Sequence, residues 1–322
     1  MVSFLQVDGL TKSFGDLVLF ENITFGVAQG QKIGLIAKNG SGKTTLLNII
    51  AGKEDYDSGS IVFRNDLRVG YLEQAPHYPE GLTVLQACFY SKNETVQLLA
   101  EYEQALVEDD TDKLNSLLER MDSLKAWDYE QRAKQILGEL KIHNLEQKVE
   151  SLSGGQLKRV ALANVLITEP ELIILDEPTA FLDVVSRIEI MTLLHRLAVE
   201  QNKAILLSTH DIEQALVLSD KLWLLSKEKG LQCGVTEDMI LSHQMDNLFS
   251  HSNIRFDYDH GIYYPTVNGK QEITVEATDE TLLHWTINAL NRHGYTCLQT
   301  QNAPAGLPHL QVIAPDTLYL TW

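Results

Sequence analysis

Cysteine is scarce in this chain: Cys88, Cys233 and Cys297 are the only three in 322 residues, and no two have paired spacing. Scattered thiols fit a reducing compartment, so a cytoplasmic location is expected, and they offer neither a disulfide framework nor a zinc site. Basic residues are also few. Lys and Arg number 26 against 44 Asp and Glu, a formal charge of −18. A field of that sign repels phosphate backbones and anionic lipid unless a local patch overrides it, so no direct DNA binding is expected. No apolar run approaches the roughly 18 residues that a spanning helix needs, so no membrane span is expected. The stretch 1–8 lacks a basic start and a long apolar run, and is not expected to be a signal peptide. With 44% hydrophobic residues the chain is expected to be globular, with room for two domains.

What is present is organised around residues 33–51. An apolar run at 33–36 feeds the loop Ala37-Lys38-Asn39-Gly40-Ser41-Gly42-Lys43-Thr44-Thr45, and a helical pattern follows from Thr44 to about Ala51. Strand, glycine-rich turn and helix is the context in which backbone N–H groups converge on a phosphate. Gly40 and Gly42 let the chain curl inward, and the helix adds the positive end of its dipole. Lys43 is placed to bridge the β- and γ-phosphates and Thr44 to hold Mg²⁺. Ala37 stands where such loops usually carry glycine, and a methyl is accommodated there if φ is negative.

Upstream, residues 4–8 and 18–27 alternate apolar and polar side chains and read as antiparallel strands. Phe14 falls in the turn between them, where an aromatic either stacks on an adenine ring or packs in the core. Short strands are expected at 61–63 and 67–72, the second leading to Gln74, an amide in reach of Mg²⁺ and an attacking water. From Thr83 the texture is helical, with apolar residues at helical spacing: Leu98, Leu99, Tyr102 and Leu106, then Leu114, Leu117, Leu118, Met121 and Leu124. Glu108-Asp109-Asp110 breaks the run, which predicts an αα-hairpin, with another helix at 128–140. Residues 94–150 hold 14 acidic and 7 basic residues, so this region is either a solvated helical subdomain or a docking arm ill-suited to RNA phosphate.

Leu152-Ser153-Gly154-Gly155-Gln156 opens a helix to about 168 and reads either as a second anion-binding helix start or as a plain serine cap. The apolar stretch 172–175 predicts a buried parallel strand that delivers Asp176 and Glu177 at its C-terminal end, where open α/β sheets bind ligands. Asp176 is a candidate Mg²⁺ holder and Glu177 a candidate general base. Strand neighbours point to opposite faces, which suits divided roles. A helix at 186–199 and a strand at 204–207 follow, and His210 past that strand end is placed to sense a γ-phosphate. A helix at 212–218 and a strand at 221–225 close the first domain. After 226, short runs at 254–258, 273–277, 297–300, 310–313 and 318–322 and a helix at 280–292 predict a small α+β domain. It carries six of the ten histidines, with no i, i+4 pair, and these are not expected to be ligands.

Taken together, the motifs over residues 1 to about 225 resemble an ATP-binding cassette (ABC) ATPase: aromatic Phe14, Walker A at 37–45, Q-loop Gln74, signature 152–156, Walker B at 172–177, D-loop Leu182 and Asp183, and H-loop His210. The resemblance implies an α/β P-loop NTPase cassette, a mixed sheet with an antiparallel β-subdomain and a helical subdomain at about 82–168, plus a C-terminal α+β domain at 226–322. It implies ATP held by Phe14 and Asn39 to Thr45, Mg²⁺ on Thr44, Gln74 and Asp176, and hydrolysis by Glu177, Gln74 and His210. It also implies a homodimer or a second cassette, because Leu152 to Gln156 of one chain would clasp the ATP of the other. Residues 1 to about 170 are similar to the ribosome-associated ABC-F class, through Ile33 to Gly40, Val69 to Gln74 and the helical insert. From about 177 the text is similar to importer ATPases of the iron-siderophore and cobalamin type, through Thr179 to Val184 and Ser208 to Ala215, so the chain reads as two relatives joined within the Walker B strand. The implied roles are an importer cassette beneath a transmembrane permease, a soluble ribosome-associated ATPase, or a nucleotide-gated structural dimer with little turnover. Glu177 speaks against the last.

Overall fold

A computed structural model describes residues 2–90, 94–109, 111–123, 127–249, 254–258, 260–265, 269, 271–298, 304 and 306–321. The chain divides into two units, Met1–Leu248 and Phe249–Trp322. In the first, β1 (Ser3–Phe14), β2 (Leu17–Ala28), β3 (Lys32–Ala37), α1 (Lys43–Ile50), β4 (Ser58–Phe63) and β5 (Val69–Leu72) are followed by five helices. These are α2 (Val84–Cys88), α3 (Glu94–Glu108), α4 (Thr111–Ser123), α5 (Trp127–Glu139) and α6 (Gly154–Leu166). Then come β6 (Leu172–Asp176), α7 (Val184–Gln201), β7 (Ala204–Ser208), α8 (Ile212–Leu218), β8 (Lys221–Ser226), β9 (Gly230–Val235) and α9 (Thr236–Leu241).

Every residue of β3, β6 and β7 is buried, which only a sheet covered on both faces allows. They lie inside a sheet of order β5-β6-β7-β3-β8-β9, parallel except for β9. The period of two sorts its side chains. Leu172, Ile174, Ala204 and Leu206 join a core with α1 and the antiparallel sheet β2-β1-β4. Ile173, Leu175, Ile205 and Leu207 join a second core with α6, α7 and the helices after Thr83. Each such Leu or Ile contributes roughly 1.5–3 kcal/mol of transfer free energy. Because β3, β6 and β7 are parallel, the segments after Ala37, Asp176 and Ser208 leave the sheet at one edge.

The helical hairpin forms as its spacing predicts. Leu98, Leu99, Leu117 and Met121 are buried in its core, and Tyr102 meets Trp127 edge-on at 5.2 Å. Leu106 is exposed instead, and Asp110 and Leu124 lie outside the described residues. Among the described residues no helix is long and apolar enough to cross a membrane.

Two expectations are corrected, and one strand is new. Phe14 is not in a turn: β1 runs through it and pairs Phe14 with Leu17, leaving only Gly15 and Asp16 as the connection, with Gly15 at φ 57°. The first unit does not end at 225. β9 pairs with β8 from Lys221 to Ser226 and protects that edge, and Met239, Met245 and Leu248 bury behind it. In the second unit a strand at 262–265 had no expectation. There β10 (Ile254–Asp257) and β11 (Ile262–Pro265) form a hairpin. The remainder is β12 (Gln271–Ala277), α10 (Glu280–Arg292), β13 (Tyr295–Leu298), β14 (His309–Ala314) and β15 (Thr317–Thr321), with sheet order β13-β12-β14-β15. α10 matches its expected bounds and is capped by Asp279, which accepts from the Leu282 N–H at 2.9 Å. The expected strand ends at 299–300 and 322 lie outside the described residues.

Gly70 sets how closely β5 approaches α6. A Cβ there would stand 2.7 Å from Val165 Cγ1 and 2.9 Å from Pro170 Cγ. Gly70→Ala is expected to cost about 1–3 kcal/mol by overpacking, read as a lower urea midpoint at unchanged slope.

Candidate active site

The turn after β3 carries two residues in the left-handed region, Gly40 at φ 74° and Gly42 at φ 94°. At Gly42 a Cβ would also meet Leu19 at 3.2 Å, so this position excludes a side chain twice over. Gly42 caps α1 without any side-chain bond, so the first-turn N–H groups face outward. The cleft they face has a volume of about 470 Å³ and includes Phe14, Asn39, Lys43, Gln74, Glu177 and His210 in its lining. Gly40, Gly42, Thr44 and Thr45 line it as well. Ser41 lies in the same turn but spends its hydroxyl on the Lys38 carbonyl at 2.6 Å.

Lys43 is buried and donates to the Ala37 carbonyl at 2.9 Å, so the ammonium is folded back over its own loop. Burial lowers its pKa from the usual lysine value, and the charges of Glu177 and Asp176 oppose that shift. Asp176 is fully buried at the end of β6. Its Oδ1 accepts from the Ser208 hydroxyl at 2.5 Å, while its Oδ2 has no hydrogen-bond partner.

Glu177 lines the cleft and Asp176 does not. The φ of Glu177 is 50°, so the backbone turns left-handed immediately after Asp176, and the charges of both carboxylates act on Lys43. Ser208 accepts from the Glu177 N–H at 3.1 Å and anchors the turn. Glu177 Oε2 accepts from the His210 N–H at 3.3 Å. His210 Nε2 lies 3.1 Å from Oε1, an ion-pair distance without hydrogen-bond alignment. Burial raises the Glu177 pKa above the ordinary carboxylate value, against the pull of His210 and Lys43. Phe14 is half exposed at the cleft, with the Lys12 ammonium 4.7 Å from its ring centroid.

Leu152 to Gln156 and Asp183 do not line this cleft. Ser153 and Gln156 form a reciprocal capping box at the start of α6, with bonds of 3.3 and 3.0 Å. Gly155 lets that helix start approach the next loop, since a Cβ there would stand 3.0 Å from Leu182. Asp183 caps α7, accepting from the Ser186 N–H at 2.9 Å and its hydroxyl at 2.7 Å. Those bonds hold its carboxyl below the usual range.

The ABC transporter family profile matches residues 20–180, half of the chain, including the Gly40–Thr45 turn, Ser153 to Gln156 and both carboxylates. This chain belongs to the ABC transporter ATPase family. Over 190 residues it is 40% identical to the uncharacterized ABC transporter ATP-binding protein YfmR of Bacillus subtilis, which covers 56% of this chain and 30% of that protein. It is 30% identical over 230 residues to the energy-dependent translational throttle protein EttA of Mycobacterium tuberculosis, 68% of this chain and 39% of that protein. With the sulfate/thiosulfate import ATP-binding protein CysA of Vibrio cholerae it shares 31% over 265 residues, 79% of this chain and 62% of that protein. The chain thus spans less than two thirds of each of these ABC relatives. The fold is that of solved ABC subunits. The ATP-binding subunit of an ABC transporter superposes with a TM-score of 0.59 at 22% identity, covering 77% of this chain and 98% of that one. The cassette MJ0796, in a post-hydrolysis state with ADP and phosphate, superposes with a TM-score of 0.56 at 23% identity, covering 72% of this chain and 98% of that one.

Two residues of this ABC site had no sequence expectation. Ser208 braces both carboxylate residues. Lys158 on α6 is buried, and its ammonium donates to the carbonyls of Glu73 and Gln74 at 2.8 Å each and of Asp176 at 3.1 Å. It thereby ties the helix of the serine-glycine turn to the Gln74 loop and to the end of β6. Burial pushes its pKa down to about 8, opposed by the charges of Asp176 and Glu177. A signal was legible: Lys158 shares a helical face with Ala161, Leu162 and Val165, all buried, so a charge sat on an apolar stripe.

Lys158→Met leaves three carbonyls without their donor. It is expected to cost about 1–3 kcal/mol and to quicken amide exchange at residues 73–75 about tenfold or more. For Glu177 the native state holds the proton more tightly than the unfolded one, so stability falls as pH rises from the unfolded carboxylate value through the raised native one. Glu177→Gln is expected to remove that fall and to raise the melting temperature at pH 8 relative to the unmodified chain, by calorimetry at matched pH.

Proposed function

We propose that this chain is the ATP-hydrolysing cassette of an ABC importer, working at the cytoplasmic face of a membrane as a pair of cassettes beneath a transmembrane permease. One observation carries the ATPase part of the reading. The phosphate turn with Lys43, Gln74, the buried Glu177 and His210 lines a single cleft, with the buried Asp176 carboxylate acting on Lys43 from behind that lining, while the serine-glycine turn stands outside it. In this reading a second chain brings Ser153 and Gly155 to the cleft. Phe181, Val184, Val185 and Ile188, next to that turn in the fold, are 82, 67, 67 and 57% exposed, an apolar patch suited to a protein surface.

In this reading the N–H groups of Gly40 to Thr45 and the start of α1 receive the phosphate chain, and Phe14 offers its free face to adenine. Lys43 leaves the Ala37 carbonyl for the β- and γ-phosphates. Thr44, Gln74 and Asp176 would hold Mg²⁺, and the fit rests on Asp176 Oδ2, a buried carboxylate oxygen that lacks a partner. Mg²⁺, when bound, supplies charge neutralisation on the phosphoryl oxygens. Glu177 takes a proton from the attacking water, and its raised pKa strengthens it as a base. His210, alongside Glu177, completes the γ-phosphate end of the cleft.

The importer assignment is supported by the similarity to CysA over 79% of this chain. A second reading, a soluble ATPase acting on the ribosome, is favoured by the similarity to EttA and by the α3–α4 hairpin. The hairpin region is acidic, which disfavours RNA as its contact.

Lys43→Ala and Glu177→Gln are each expected to lower phosphate release about 100-fold or more, and Glu177→Gln with ATP and Mg²⁺ should double the mass seen by light scattering. Unchanged release in either variant refutes the site. A Glu177→Gln trap should retain detergent-solubilised permease, whereas ATP-dependent recovery of ribosomes would replace the importer reading by the ribosomal one.

A further inference from the structure

The C-terminal unit brings together three side chains whose chemistry the ATPase cleft does not use. Asp257 ends β10, His260 lies in the turn to β11, and His284 projects from α10. One donor atom from each lies within 4.8 Å of the other two. We propose that Asp257, His260 and His284 form a binding site for a divalent cation of the zinc class, which clasps the β10–β11 hairpin to α10.

The donor set points to the cation. Two imidazoles and one carboxylate are borderline ligands that suit zinc and its first-row neighbours, not Mg²⁺ or Ca²⁺, which take all-oxygen shells. The arrangement is partly pre-formed. Asp257 Oδ1 accepts from the His260 backbone N–H at 3.1 Å, which fixes the carboxylate, and Oδ2 lies 2.8 Å from His260 Nδ1. The Asn288 amide lies 2.9 Å from His284 Nε2 and orients that ring; turned so that Oδ1 faces the ring, it accepts from Nε2–H and leaves the Nδ1 lone pair to the cation, the outer contact that metal-bound imidazoles carry. The two imidazole centroids are 4.7 Å apart at 43°. A carboxylate–imidazole hydrogen bond needs no second imidazole, and a cation gives the second ring a role. Tetrahedral bonds of about 2.0–2.2 Å set neighbouring donors about 3.3 Å apart, so replacing the shared proton of the 2.8 Å contact by a cation asks for about 0.5 Å of opening. The His260 side chain is half exposed, so a fourth position opens to water. Asp257 and His260 are neighbours in the chain but His284 comes from a separate helix, and the two histidines lack the i, i+4 spacing of helical ligand pairs, which is why reading the histidines by spacing dismissed them.

The test is a Zn²⁺ titration of the full chain, stripped of metal and free of nucleotide, in competition with a chromophoric chelator. One equivalent is expected with a Kd tighter than about 10 μM. His260→Gln and His284→Gln should each weaken it at least about tenfold, and Asp257→Asn, which keeps the shape of the turn, should do the same with an unchanged circular dichroism spectrum. His293→Gln, exposed after α10, should leave it unaltered. Co²⁺ in place of Zn²⁺ should give visible d–d bands with no thiolate charge-transfer band. A Kd weaker than about 10 μM, affinity indifferent to all three substitutions, or a thiolate band assigning the metal to cysteine overturns the proposal.

Discussion

The Lys158 ammonium gives its three N–H groups to three backbone carbonyls, on the Gln74 loop and at the end of β6, in a place closed to water. An ammonium taken out of water is tolerated only when every proton finds an acceptor and opposite charge is near. Asp176 and Glu177 supply that charge, and the same two carboxylates act on Lys43. Through its three backbone contacts Lys158 joins α6, the Gln74 loop and the end of β6.

Glu177 shows what this arrangement stores. It is buried, its backbone is left-handed, and its acid form is favoured over the carboxylate relative to an ordinary glutamate. Each feature costs stability, of order 1–3 kcal/mol for a residue in a sparsely populated backbone region. The return is a carboxylate poised beside His210 with a strengthened appetite for a proton. The neighbouring Asp176 has one oxygen satisfied by Ser208 and one with no hydrogen bond, an asymmetry that suits a ligand to a cation better than a structural acid.

The lip formed by Gly154, Gly155, Phe181 and Leu182 is organised on different terms. Its polar groups are internally satisfied, through the Ser153–Gln156 capping box and the Asp183 cap, so it presents a finished surface rather than a reactive one. Beside the exposed Ser153, Gln156 and Asp183 it turns Phe181, Val184 and Val185 outward.

Much of this was legible in the amino-acid order. The phosphate turn, the acidic strand end, the capped helix starts and the helical hairpin are local, because glycine conformations, capping residues and a 3.6- or 2-residue period act over a few neighbours. They sufficed to name the family and to place α10 to the residue. Four things needed the tertiary structure. Phe14 belongs to β1 because cross-strand pairing outlasts the turn signal. β9 joins the first unit because an open sheet edge seeks a partner. Glu177 leaves the strand in a left-handed turn because Ser208, distant in sequence, holds it there. Lys158, and His284 beside the Asp257–His260 pair, draw on partners that no spacing rule connects. The sequence by itself determined which chemistry is available and which segments are helix or strand, since these rest on short-range geometry. Which charges share one burial site was decided only by the packed sheet, since desolvation depends on what the rest of the chain removes from water.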